Sequence, residues 1–266
     1  MIHHLLGIAA IVSLLLTPVG ASAQQSTLDA VKAKKVLVAG VKNDFPPFGY
    51  IDQQNKWVGI DVDMARYVAN KLGVELKLEA ITSRTRIPLL VNGNVDFIIQ
   101  INPTRERAQT VDFTVPYYEG GQTLLVYKDS GIKSVGDLAG RKVGTVQGSA
   151  DGPSLLAFQP KAELVFFQEQ AQAYQALKQR RIDAMSTSNI LLEQMSKGEA
   201  AMVVLDKPFK PDPLAFAVRH NDSKWRLFLE EAIMDAWQDG TIAKLQEKYV
   251  GTPIGFTMKV WPDYYK

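Results

Sequence analysis

Three stretches of the chain carry residues whose types and spacing suit chemistry. The first is Gly144-Thr145-Val146-Gln147-Gly148-Ser149-Ala150-Asp151-Gly152-Pro153. It reads as a strand running into a turn at Gly148, then a helix with Pro153 in its first turn. The backbone N–H groups around Ser149 and Ala150 would then face outward at a sheet edge and cradle an anion. The same residues also suit an ordinary strand-to-helix turn. The second stretch, Asn102-Pro103-Thr104-Arg105-Glu106-Arg107, follows a strand from Val95 to Ile101 that reads as buried. An arginine at a helix start opposes the macrodipole and is better explained by an anion in front of it, gripped as a carboxylate. Arg105 reads as a solvated charge and Arg107 as the gripping one. In the third, Gly59-Ile60-Asp61-Val62-Asp63-Met64, two carboxylates are one residue apart. Asp61 fits an N-cap and Asp63 the first helical turn, so both read as structural.

Composition removes several rivals. The 266-residue chain has no cysteine, which excludes disulfides, thiolate catalysis and cysteine-ligated zinc. Of three histidines, His3 and His4 stand at the N-terminus, leaving only His220 for a triad or metal site. His220 lies in the polar run Arg219-His220-Asn221-Asp222 and reads as a surface residue before a helix. No G-x-S-x-G elbow, P-loop or dinucleotide fingerprint occurs. No catalytic residue, metal or cofactor is expected. The net charge of +2 is not the basic stripe that a nucleic-acid partner needs.

These stretches need a scaffold that brings them together. Strand-like and helix-like segments alternate along the chain, which predicts α/β architecture with mostly parallel sheets. Asp61 to Leu72 is helical in pattern, with Val62, Ala65, Val68, Ala69 and Leu72 on one face and Gly73 as the stop. Two turn-rich segments, Pro116 to Gln122 and Lys207 to Pro213, read as connectors. They bracket a block of about 90 residues, close to minimal domain size. The expected organisation is a second lobe, 120–209, inserted into a discontinuous first lobe, 24–119 and 210–266. Two crossings join the lobes, and the cleft between them suits a small ligand.

Leu5 to Leu16 is almost wholly apolar but too short for the roughly 20 residues that span a bilayer. Ala21-Ser22-Ala23 matches a signal-peptidase site, although no Lys or Arg precedes the apolar run. Residues 1–23 are therefore expected to be a cleaved signal peptide and the mature protein to reside in the periplasm.

The motifs, in order, resemble those of the periplasmic solute-binding proteins of ABC transporters, specifically the polar amino-acid-binding family (bacterial extracellular solute-binding protein family 3). Gly40 to Phe48 is similar to the first strand and loop of that family. Gly59-Ile60-Asp61-Val62-Asp63-Met64-Ala65 is similar to its G-F-D-x-D-L-A segment. Thr104 to Arg107, Val111 to Tyr118 and Val143 to Ser149 match further segments, and the similarity runs from about Leu28 to Tyr249. The resemblance implies a type II two-lobe fold that closes over a ligand and hands it to a membrane permease, as a monomer. It implies that Arg107 grips the ligand carboxylate, aided by Gln100 and Asn102, where small residues are usual. It implies further contacts from Ser149 and Ala150, a stacking aromatic at Phe45, and Phe48 close by.

Two departures bear on the ligand. Relatives usually carry Asp at the position of Ser188, where it pairs with an ammonium; Ser188 supplies no charge. Lys42 stands where Asp is common, and Arg86 stands where binders of acidic amino acids carry arginine. Lys42 reads either as a third cleft cation beside Arg86 and Arg107 or as a partner of Asp44. With three cations and no evident anion, the expected ligand is an acidic amino acid or a related dicarboxylate. The rival implied by the same fold is a lyase of the cyclohexadienyl dehydratase type, which needs a general acid; beyond Glu119 the sequence shows no candidate.

Overall fold

The computed structural model describes residues 25–251. The expected signal peptide and the stretch from 252 onward lie outside them. Helix α1 (Thr27–Lys34) leads into β1 (Val36–Val41). Three very short strands, β2 (Asp44–Phe45), β3 (Gly49–Ile51) and β4 (Trp57–Val58), make a small antiparallel sheet before α2 (Ile60–Leu72). Then come β5 (Glu75–Ala80), α3 (Arg86–Val91), β6 (Phe97–Ile101) and the long strand β7 (Val111–Tyr127). They are followed by β8 (Lys142–Val146), α4 (Asp151–Phe158), β9 (Glu163–Phe167) and α5 (Gln170–Lys178). Next are β10 (Ala184–Ser188), α6 (Asn189–Met195) and β11 (Met202–Val204). Finally come β12 (Lys210–Arg219), α7 (Ser223–Gln238) and α8 (Thr241–Val250).

The large sheet runs β5-β1-β6-β12-β7-β10-β8-β9, with β11 also on β7. Its flanks are parallel: β5-β1-β6 on one side, β10-β8-β9 on the other. The pairings made by β7 and β12 in the middle are antiparallel. Both faces of each flank are covered by apolar packing. Met64, Val68, Leu229 and Ile233 pack on one face of the β1 side, and Ile81, Leu90 and Ile98 on the other. Leu177, Met185 and Leu192 on one face, and Leu138, Val143 and Leu155 on the other, do the same for the β8 side. Burial on both faces is why Phe97–Ile101 is apolar at every position but Gln100 rather than alternating.

The structure corrects two expectations. Pro116 to Gln122 and Lys207 to Pro213 are not loose connectors: most of their residues belong to β7 and β12, paired Lys210 with Gln122 and Pro213 with Glu119. Pro213 turns its carbonyl away from β7 to the Asn102 amide. Its missing N–H therefore falls on the side where β6 has already ended, so the ladder with β7 loses nothing. Asp61 is not the N-cap of α2; Gly59 is, and Asp61 is fully buried, accepting a hydrogen bond from the Tyr117 hydroxyl at 2.5 Å. Burial pushes its carboxyl up to about 7, against the pull of that hydroxyl. Its structural role stands, by a different contact.

Candidate functional site

Parallel strands on both flanks end at one place, and the residues just past those ends meet there. Lys42, Phe45, Ser83, Arg86, Gln100 and Asn102 come from the β6 side. Ser149, Asp151, Gln170 and Thr187 come from the β8 side, and Asp212 and Leu214 from β12. Together they enclose a small cavity.

On the β6 side, Lys42 follows β1 and is 4% exposed, its ammonium 4.6 Å from the centre of the Phe45 ring. It has no ion pair with Asp44; burial pulls its pKa down to about 8, with Asp44 opposing. Phe45 is set by the small β2-β3-β4 sheet. Phe48 does not line the cavity. It is fully buried behind Phe45, with ring centres 5.9 Å apart, and meets Tyr118 edge-on. Arg86 is buried and donates to the Gln100 carbonyl at 2.8 Å. Burial, then the Arg107 charge, lower its pKa. Gln100 sits at the end of β6 with φ +67, a conformation that costs a side-chain-bearing residue about 1–2 kcal/mol. Strain of this kind persists where the surroundings fix it, often at binding sites. Arg107, expected to grip the ligand, is half-buried and does not line the cavity; its guanidinium donates to the Asn102 carbonyl at 2.9 Å and, across the cleft, to the Gly148 carbonyl at 3.0 Å. Arg105 is exposed, as expected.

The β8 side corrects the anion cradle. The Ser149 N–H is already donated to the Val146 carbonyl. The anion at the start of α4 is the chain's own Asp151, whose carboxylate bonds the Ser149 and Thr187 hydroxyls. Gln122 of β7 holds the Asp151 carbonyl at 2.8 Å. Ala150 lines a neighbouring groove with Pro103, Ser154 and Lys210 rather than the cavity. Ser188 does not reach the cavity either. Successive strand residues face opposite ways, and on β10 it is Thr187 that points in. The Ser188 hydroxyl is buried near Gly120.

Where no anion is evident in the sequence, the structure supplies two. Asp151 and Asp212 are 6% and 9% exposed and line the cavity with Lys42 and Arg86. Burial raises both carboxyls. Asp212 reaches about 7, lifted further by Asp151 and held down in part by Lys210 and by the Asn102 amide, 2.7 Å away. Lys42 is the largest opposing pull on Asp151. Five charged side chains thus converge, yet the ion pairs of the described residues all lie elsewhere. Around them, Ser83 Oγ, Arg86 Nε, Gln100 Oε1 and Gln170 Oε1 are buried without a hydrogen-bond partner. Buried polar atoms are rarely left so, and a cluster of them marks a place where a partner belongs. Among the described residues no three acidic or histidine side chains gather as a metal site. The arrangement is suited to gripping a small molecule that carries both signs of charge.

Comparison with known proteins agrees. The model for "Bacterial extracellular solute-binding proteins, family 3" matches residues 37–252. An ABC transporter glutamine-binding protein from Bacillus subtilis is 35% identical, covering 85% of each chain. A glutamine-binding protein from Geobacillus stearothermophilus is 41% identical, over 72% of this chain and 76% of its own. Among solved structures, the ancestral amino acid-binding protein AncCDT-1, a precursor of cyclohexadienyl dehydratase, superimposes with a TM-score of 0.78 at 33% identity, over 85% of this chain and 99% of its own. With this match along almost the whole described chain, and with the two-sided cavity at its centre, the chain belongs to the bacterial extracellular solute-binding proteins of family 3.

Proposed function

We propose that this chain is the extracytoplasmic solute-binding component of an ABC importer and that its solute is an amino acid, bound between two lobes. The lobes are 24–119 with 210–266, and 120–209, and they close about β7 and β12. The observation that carries the reading is the cavity itself: two cations, Lys42 and Arg86, and two carboxylates, Asp151 and Asp212, buried together without ion pairs, with Arg107 half-buried close by. Relatives named as glutamine-, arginine- and cystine-binding proteins support an amino acid. In this reading Arg107 takes the α-carboxylate and Phe45 covers the side chain. Lys42 and Arg86 in the lining, with Arg107 beside it, favour a second carboxylate near Lys42 and Arg86. Glutamate or aspartate is therefore the preferred solute. The protein works as a monomer and delivers its load to a membrane permease.

A thermal-shift screen of the twenty L-amino acids tests this. Ligand at a hundredfold excess over Kd stabilises the native state by about 2.7 kcal/mol. The acidic amino acids should give the largest rise in melting temperature. A screen that moves nothing contradicts the reading. The second reading, a lyase, draws on one observation: Asp212, with its carboxyl near 7 in a closed cavity, has the pKa of a general acid. Incubation with prephenate and arogenate separates the two, since a binding protein releases no aromatic product.

A further inference from the structure

We propose that Asp151 and Asp212 form an ammonium subsite, so that the solute must carry an amine and not carboxylates alone. The inference rests on the amino-acid reading and deepens it. The two carboxylates come from different parts of the fold, Asp151 from the start of α4 and Asp212 from the crossing strand β12, and both are at least nine-tenths buried against one cavity. The strand position that would serve an ammonium, Ser188, bears no charge and does not line the cavity. The charge has moved to two other elements.

Closure has a consequence for this pair. Bringing the lobes together sets two like charges side by side out of water, which opposes closing unless a cation or a proton sits between them. An ammonium of the solute removes that opposition. The pair therefore makes closure depend on an amine. Lys42, Arg86 and Arg107 face the carboxylates from the first lobe, and Lys210 from β12 itself. Lys210 is engaged with the Ser154 hydroxyl at 2.7 Å. Asn102 bonds Asp212, while Ser149 and Thr187 bond Asp151. None of these neighbours is a cation in direct ion-pair contact with either carboxylate.

The sign of the pH dependence follows. Without solute, burial raises both carboxyls, that of Asp212 to about 7. A bound ammonium favours their ionised forms, so binding releases protons. Affinity for an amino acid should rise with pH up to about 7, by as much as tenfold per unit for one proton released. Above about 8 the loss of the Lys42 charge weakens it again.

Calorimetric titration of the whole mature protein with L-glutamate, L-glutamine and glutarate, at pH 6.5 in phosphate and in a buffer of high ionisation enthalpy, tests the proposal. The buffer-dependent heat reports protons released. The amino acids should release protons and glutarate should not. Asp212→Asn should abolish the release and weaken amino-acid binding at least tenfold, while glutarate binding is unchanged or improved. Asp151→Asn provides the same comparison if the first variant folds poorly. Amino acids that bind the wild type without proton release, and equally well to both variants, would overturn the subsite while leaving the amino-acid reading intact. If no amino acid binds the wild type, both fall together.

Discussion

Arg107→Ala is expected to reduce affinity for the amino acid by about 2–5 kcal/mol, since it leaves a carboxylate without its charged partner in a closed cleft. That range corresponds to a loss of roughly thirtyfold to several thousandfold in Kd. The same guanidinium also bridges the Asn102 and Gly148 carbonyls across the cleft, so the variant loses a lobe-to-lobe contact together with the ligand grip. Folding stability should fall by about 1.5–3 kcal/mol, the size of the one charged hydrogen bond, to Asn102, that does not depend on closure. Calorimetry and urea unfolding of the same preparation separate the two effects. Unchanged affinity would remove Arg107 from the site.

Gly148→Val should block closure. Gly148 has φ +79, and a Cβ there would lie 3.0 Å from the Arg84 Cα and from the Ser83 carbonyl oxygen, backbone atoms of the opposite lobe. The conformational cost, about 1–2 kcal/mol, is borne by open and closed states alike. The clash exists only when the lobes meet. Affinity should therefore fall more than stability does, by tenfold or more. Small-angle scattering should show the variant failing to compact at amino-acid concentrations that compact the wild type. Full compaction of the variant would mean that the lobes do not meet at Gly148 on closing.

Much of the scaffold was legible because it rests on periodicity. The helix from Ile60, its apolar face and its Gly73 stop appear where spacing places them, with the Gly73 N–H bonded to the end of the helix. The strand before Asn102 and the Gly148 turn were equally clear. The short strands around Phe45 were not, because two or three residues hold no period to read. The strand character of the two crossings is hidden because prolines signal turns unless the unpaired side of the strand is known, and pairing is a tertiary fact.

The site divides along the same line. Lys42, Phe45, Arg86, Gln100, Asn102 and Ser149 line the cavity, where motif order placed them. Asp151 and Asp212 were missed, although each had a signal. Asp151 follows directly on the proposed cradle, at a helix start where acids are usual, and so looked structural. Asp212 stands between two prolines on a crossing, and only the folded chain shows that it faces inward. Thr187 was displaced by its neighbour Ser188 because a one-residue shift in a strand exchanges its faces.

The central claim is that the cavity holds one amino acid. Native mass spectrometry of the mature protein, purified without denaturation and mixed with an equimolar set of L-amino acids, tests it most directly. The account predicts a complex heavier than the polypeptide by the mass of a single amino acid, and its disappearance in Arg107→Ala. A spectrum showing only the bare polypeptide, or a bound species lacking either an amine or a carboxylate, would contradict it.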